Sequence, residues 1–380
     1  MASKEAKRTV RIFALASFLN DMGSDVIYPL WPLFLMTFQG MNTAILGFID
    51  GIGEAFVSIS QAFSGFLSDR IRKRKVFIWL GYLFGALSRF GYALSTTWHY
   101  IIPFRILDRS GKIRAAPRDA IVADVSTKKE RGKNFGILRA FDNLGAVTGI
   151  TLSIFLVGIL GYKKLFLLTT IPSLIGSFLI FILIKERKVR KVTEYRWIAL
   201  KDLRGNFKLF LLASSAFAFG SFSYSFLLLY AKNFGFGIAF IPVLYLIFTA
   251  IASLFSEYFG RLSDRIGRKP VLFLSYIFWI LVSIIFIFQQ NYLLVIFAFV
   301  LYGFHKAAFE PAQKAFVAEL SAVEFRASTL GLFQMIIGSI ALPASFIAGM
   351  LWLKVNIFAP FYFSISVTIA SMLALLFVKE

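Results

Sequence analysis

The sequence predicts an all-α integral membrane protein of twelve transmembrane helices, built as two pseudo-symmetric six-helix bundles. Three observations carry that prediction: composition, apolar runs that recur at one length, and a motif repeated at a constant offset. Of 380 residues, 58% are hydrophobic, 17% aromatic and 16% charged, whereas soluble domains are about 25% charged. Apolar runs of about 20 residues recur along the chain, each long enough to cross a hydrocarbon core of roughly 30 Å as a helix. Stretches such as LFLLTTIPSLIGSFLIFILI lack the apolar–polar alternation of a membrane β-barrel. Helices are the remaining way to satisfy the backbone in lipid.

In order, the spans fall near residues 9–38, 43–67, 76–96, 98–120, 132–158, 162–184, 207–231, 238–260, 270–289, 291–313, 327–352 and 355–378. The N-terminus has the basic flank of a signal peptide, but no small-residue cleavage site follows and the apolar run continues through Leu30 and Leu35. It is therefore read as the first helix. The longest polar interruption divides the chain into a first bundle (1–184), a cytoplasmic linker (185–208) and a second bundle (209–380).

A formal charge of +21 would suggest nucleic acid in a soluble chain. Here most Lys and Arg fall in the N-terminal tail, in the loops that follow even-numbered helices, and at the C-terminus. Only Lys163, Lys164, Lys232 and Lys354 fall in the opposite loops. That asymmetry predicts cytoplasmic termini, and the basicity reports topology, not a nucleic-acid partner. The absence of cysteine excludes disulfides, thiol nucleophiles and thiolate metal sites.

GFLSDRIRKRKV from Gly65 and GRLSDRIGRKPV from Gly260 match at an offset of 195 residues. The same offset pairs Asp124 with Glu319, Arg131 with Arg326 and Gly136 with Gly331. A constant offset over so long a stretch implies duplication, so the halves share one fold. Parallel six-helix repeats are a transporter plan, with substrate held between halves that rock about it.

The repeated G-x-L-S-D-R-I-x-[KR]-[KR] resembles the loop signature of the major facilitator superfamily, found between helices 2 and 3 and, more weakly, between helices 8 and 9. The second copy fits the pattern, while the first has Arg72 where the family has glycine. The resemblance implies the superfamily fold and an alternating-access mechanism. On physical grounds, a carboxylate at a helix end facing a basic turn forms a pair that can exist in one rocking state and break in the other. Gly65, Asp69 and Arg70, with Gly260, Asp264 and Arg265, are accordingly the expected gate.

Charged groups inside spans cost at least about 2.5–3.5 kcal/mol on insertion scales and face interiors or cavities. They are Asp21 and Asp25 in the first run, Asp50 and Glu54 in the second, and Arg89 in the third. Arg105, Asp108, Arg109 and Lys112 lie in the fourth, Arg139 and Asp142 in the fifth, and His305, Lys306 and Glu310 in the tenth. In the superfamily, helices 1, 4, 7 and 10 line the cavity, helices 2, 5, 8 and 11 join the halves, and the rest face lipid. Arg89 alone departs from that map.

RILDRSG from Arg105 resembles the family's helix 4 pattern R-x-x-Q-G-x-G in its arginine and last glycine, with Asp108 and Arg109 replacing glutamine and glycine. In proton-coupled relatives that arginine is implicated in proton transfer. A guanidinium holds a neighbouring carboxylate charged and releases it when the contact breaks. The pairs Asp21/Asp25 and Asp50/Glu54, each at i and i+4, share a helix face, and an unmatched carboxylate among them is a candidate proton carrier. The alternative is a static ion-pair network. Lys306 and Glu310 could equally pair with each other at i and i+4. Lys112, Arg114, Arg118, Asp119 and Asp124 approach the cytoplasmic end, and an interfacial or structural role is expected of them.

Gly136, Gly145 and Gly149 resemble the start of an antiporter motif, though Ile150 stands where its proline belongs. As physics, Gly145, Gly149 and Ser153 form a small-residue stripe for close helix contact. With two histidines and neither in a ligand-like spacing, neither an enzyme nor a metal or cofactor site is expected. The favoured function is proton-coupled export of a cationic or amphipathic compound by a monomer in the cell membrane, its partners being substrate, protons and the lipid bilayer. Export of a metal ion or chelate, and proton-coupled uptake of an anionic solute through Arg105, Arg109 and Lys306, are the alternatives.

Overall fold

The computed structural model describes the backbone of residues 2–71, 73–126, 130–186, 205–288, 291–321 and 326–379. The side chains of residues 2–6, 65, 66, 69, 70, 131, 132 and 326–328 lie outside that description. Helices run in the order α1 (Ala2–Ile27), α2 (Trp31–Leu35), α3 (Thr43–Arg70), α4 (Lys75–Leu94), α5 (Trp98–Ser110), a 3-10 turn (Gly111–Arg114), α6 (Ala115–Val125) and α7 (Arg131–Leu183). They continue as α8 (Gly205–Gly220), α9 (Tyr224–Phe234), a 3-10 turn (Ile238–Phe240), α10 (Ile241–Ile266), α11 (Arg268–Phe288), α12 (Tyr292–Leu320), α13 (Arg326–Lys354) and α14 (Ala359–Leu376). Among the described residues, nine segments are long and apolar enough to cross a membrane. One of these, Lys133–Leu183, has 51 residues and breaks at Gly161, whose φ of 68° is open to glycine at little cost.

Contacts group the chain into two compact units, residues 1–41 with 56–195 and residues 42–55 with 196–380. The first part of α3 thus groups with the second unit. Most of the expected linker, residues 187–204, lies outside the described residues.

Unit 1 is built on contact between α1 and α7. An added Cβ would lie 2.5 Å from the Phe18 carbonyl oxygen at Gly145 and 2.3 Å from that of Met22 at Gly149. The small-residue stripe therefore lets two backbones touch. The 3-10 turn packs on α4 in the same way, since a Cβ on Gly81 would fall 2.6 Å from the Gly111 carbonyl oxygen. One end of the unit is closed by a core that includes Phe13, Ile78, Tyr82, Ile121, Leu138 and Ile180.

Unit 2 repeats the device. Cβ atoms at Gly47 and Gly51 would lie 2.0 Å from the Ser345 carbonyl oxygen and 2.5 Å from the Leu342 Cα on α13. Thr43 Oγ1 donates to the Gly349 carbonyl at 3.0 Å.

The duplication extends to ion pairs. Arg74, at the start of α4, reaches Asp124 at the end of α6 at 2.6 Å. Arg268, at the start of α11, reaches Glu319 at the end of α12 at 2.8 Å. Asp124 and Glu319 are the residues the repeat offset pairs. Each loop also ties down the last helix of its unit: Glu186 accepts from the Arg74 and Lys75 backbone N–H groups at 2.9 and 3.1 Å, and Lys269 Nζ donates to the Leu376 and Val378 carbonyls at 2.7 and 2.9 Å.

Candidate functional site

In unit 1 the charged side chains of α1, α4, α5, α6 and α7 meet in one cluster. Arg105 and Arg109 flank Asp108 from either side, each 4.0 Å from its Oδ2, and Ser88 Oγ donates to Asp108 Oδ1 at 3.4 Å. Each of these arginines rests on an aromatic ring, Arg105 on Trp31 at 4.2 Å and Arg109 on Tyr28 at 5.0 Å. Stacking of this kind leaves the guanidinium edge directed and its face covered. Arg105 is 2% exposed and Arg109 7%, so both charges are held inside the protein.

Asp21 pairs with Arg114 at 3.8 Å, and Arg114 stacks on Tyr82 at 5.0 Å. Arg118 Nη1 lies 3.6 Å from Asp142 Oδ1 and donates to Ser17 Oγ at 2.7 Å. Of the interfacial or structural role expected for Arg114 and Arg118, these contacts supply the structural one. The cause is the 3-10 turn between α5 and α6. At three residues per turn instead of 3.6, its four residues advance about 80° further round the axis than an α-helix would. Residues after the turn therefore point where a continuous helix would not send them.

Arg89, the departure from the sequence map, is 2% exposed. It donates to the Asn20 carbonyl and to Asn20 Oδ1, both at 3.1 Å, and its Nη1 faces Gly23, where a Cβ would lie 2.4 Å away. Its Nε and Nη1 have no hydrogen-bond partner among the described residues.

Asp25 accepts a hydrogen bond from Ser24 Oγ at 3.3 Å. Among the described residues it is the acid of this cluster with no cation within ion-pairing distance. Arg139 is exposed on α7. Arg114 and Arg118 bring the cluster to six cations (with Arg89, Arg105, Arg109 and Lys112) against the carboxylates Asp21, Asp25, Asp108, Asp119 and Asp142. Tyr28 and Trp31 carried no charge signal and were not singled out; their place one and two turns after Asp25 was the available clue.

Asp50 and Glu54 group with unit 2. Ser223 Oγ donates to Asp50 Oδ2 at 2.7 Å while accepting from the Ser225 N–H at 3.2 Å, so the carboxylate stands at the N-terminus of α9, where the helix dipole favours it. Lys306 pairs with Glu310 at 3.9 Å, the i, i+4 contact open from the sequence. His305 is 3% exposed and boxed by Phe217, Trp279 and Phe309 at 5.5–5.7 Å between ring centroids. Its Nδ1 donates to the Ser275 carbonyl at 2.8 Å, which fixes the tautomer.

Of the expected gate residues, the side chains of Gly65, Asp69 and Arg70 lie outside the described residues, as do those of Arg131 and Arg326. In the second copy, Asp264 pairs with Arg268 at 2.5 Å, Arg265 is exposed, and Gly260 is loosely packed, with its nearest neighbour, a Pro311 atom, 3.9 Å from an added Cβ. No three His, Cys, Asp or Glu side chains gather as a metal-ligand set among the described residues.

Among the described residues the secondary structure is helical, with nine candidate apolar spans and charge clusters inside the helical units, the pattern of a multi-pass membrane protein. The chain belongs to the major facilitator superfamily, whose sequence model matches residues 13–259 and again 209–380. An uncharacterized MFS-type transporter of Methanocaldococcus jannaschii is 38% identical over 99% of this chain and 96% of its own. Multidrug resistance protein 2 of Bacillus subtilis is 26% identical over 70% of each chain. Among solved structures, a variant of the nucleoside transporter NupG superposes with a TM-score of 0.80 at 15% identity, covering 98% of this chain and 100% of that one.

Proposed function

We propose that this transporter is a proton-coupled exporter of cationic or amphipathic compounds, acting by alternating access with Asp25 as the proton carrier. The observation that carries the reading is the pairing census in unit 1. Asp21, Asp108 and Asp142 each have an arginine within 4.0 Å, and Asp25 has none among the described residues. A carboxylate without a fixed cation can exchange a proton for a positively charged cargo, whereas one locked to a guanidinium stays ionised. Arg105 and Arg109, held on aromatic rings beside Asp108, already occupy that acid. The multidrug resistance relative supports export. Twelve spans, cytoplasmic termini and gate latches at Asp69 and Asp264 complete the proposal, with the halves rocking about the cargo.

The test is Asp25→Asn in proteoliposomes, with a fluorescent lipophilic cation as the transported probe. The variant is expected to lose accumulation driven by a pH gradient while retaining exchange of the probe without one. Wild-type accumulation by Asp25→Asn overturns the assignment of the carrier.

A further inference from the structure

We infer that unit 1 carries a second binding site, a groove open to the bilayer that takes a long-chain fatty acid, its chain on apolar walls and its carboxylate at Arg89. The inference is independent of the proton carrier. A cavity of about 340 Å³ lies between α1 and the two arms of α7, lined by residues drawn from 19–26, 152–156 and 165–175. Apart from Gly23, Thr169 and Pro172, the lining is Leu, Ile, Val and Met. Leu168, Ile171 and Ile175 among them are exposed, and the arm that bears them is the sixth apolar run, which the superfamily resemblance turns toward lipid. The size suits a small ligand, and a ligand that arrives from that side is an amphiphile.

One wall of the cavity backs onto an unsatisfied cation. At Gly23 an added Cβ would lie 2.4 Å from Arg89 Nη1, 2.8 Å from Ser173 Oγ and 2.9 Å from the Thr169 carbonyl oxygen. Gly23 and Thr169 both line the cavity, so the guanidinium stands a single glycine behind its surface. Arg89 is 2% exposed and its Nη2 is taken by Asn20, while its Nε and Nη1 have no hydrogen-bond partner among the described residues. A buried charge in that condition is costly until a counter-charge arrives. Asp21 and Asp25, two residues to either side of Gly23, lie about 200° round the helix from it at 3.6 residues per turn, so α1 turns its acids away from the groove. Ser173 Oγ donates to the Thr169 carbonyl at 3.1 Å, and Thr169 Oγ1 to that of Phe166 at 2.7 Å. Both bonds go to the helix's own backbone, and each hydroxyl can turn to donate to an oxyanion beside Arg89. A carboxylate meets these donors through charge-assisted bonds; a cationic head is repelled, and an alcohol gains the hydrogen bond without the charge. Gly23 lies about 21 Å along the first apolar run from its start near residue 9, at 1.5 Å per residue. A single chain with a small head reaches that depth, whereas a phospholipid keeps its larger head at the interface.

The experiment uses the full-length protein in phosphatidylcholine nanodiscs at alkaline pH, where a free fatty acid is ionised. Three probes share one palmityl chain bearing a diazirine: palmitate, palmityl alcohol and palmityl trimethylammonium. Photolabelling is followed against probe concentration, and adducts are located by mass spectrometry. Palmitate is expected to label residues 19–26 and 165–175 at about tenfold lower concentration than either other probe, which is about 1.4 kcal/mol. Arg89→Gln should bring palmitate to the level of the alcohol. Leu168→Trp, a change at an exposed cavity-lining residue that leaves Arg89 in place, should lower labelling of these segments by all three probes. Equal labelling by the three probes makes the groove an ordinary acyl-chain contact and overturns the inference. No adducts in these segments, or a palmitate preference that survives Arg89→Gln in a protein that melts like the wild type, overturns it as well. Should Arg89→Gln fail to fold, the wild-type comparison and Leu168→Trp decide: a palmitate preference abolished by filling the groove sustains the inference, and one that Leu168→Trp leaves unchanged overturns it.

Discussion

Replacing Arg118 with glutamine tests whether this α6 arginine is a structural counter-ion. Arg118 and Asp142 are 16% and 14% exposed and 3.6 Å apart, and Arg118 also holds Ser17 at 2.7 Å and Asp119 at 3.1 Å. At an effective dielectric of about 20, charges at that separation attract by about 4–5 kcal/mol, within the roughly 3–5 kcal/mol cost of removing one partner of a buried pair. Arg118→Gln is therefore expected to destabilise unit 1 by about 3–5 kcal/mol, because it strands the Asp142 carboxylate. Asp142→Asn is milder, at about 1–2 kcal/mol, since Arg118 keeps Asp119 and Ser17 and only a charge-assisted contact is lost. The double variant removes the stranded charge, so the coupling energy in the cycle is expected to be about 2–3 kcal/mol. Denaturant titration in detergent, followed by the fluorescence of the six tryptophans, measures all four proteins. A coupling energy below about 0.5 kcal/mol refutes the argument that this pair is shielded from water.

Two further outcomes follow from packing and from the repeat. Gly149→Ala places a Cβ 2.3 Å from the Met22 carbonyl and must separate α1 from α7 by about 1 Å, at about 1–3 kcal/mol; Gly158→Ala, with nothing within 4 Å of its Cβ, is expected to be neutral or slightly stabilising, and equal melting temperatures for the two would discredit the contact. Asp264→Asn breaks a pair whose acid is 63% exposed, so stability should change by less than about 1 kcal/mol. If Asp264 and Asp69 latch the gate, Asp264→Asn and Asp69→Asn each alter the labelling rates of cysteines introduced on the two membrane sides, and unchanged labelling leaves the motif a topology signal alone.

The sequence by itself determined that this chain is a helical membrane protein, that it is internally duplicated, and which polar residues lie within apolar helices. These are properties of composition, run length and offset. The fold neighbours and superfamily match agree with the first of these because lipid leaves the backbone few solutions. Gly145 and Gly149 were legible as a contact stripe for the same reason: spacing along one helix is local information.

Which charge meets which was not local. The Asp21/Asp25 pair reads as two equivalent acids, and only the fold gives Arg114 to Asp21 and leaves Asp25 without a cation. Arg114 and Arg118 read as interfacial or structural with no partner named, and a 3-10 turn, whose four residues shift the register by about 80°, swings them onto Asp21 and Asp142. Arg89 read as an outlier on a lipid-facing helix, and the absence of a side chain at Gly23 gives its guanidinium a place against α1. Asp50 sits in the same sequence half as Asp21, yet it accepts a hydrogen bond from Ser223, 173 residues away. Pair energies fall off steeply with distance in a partly dry interior, so a displacement of a few ångströms or a turn of a helix reassigns partners. Spacing in the chain fixes neither.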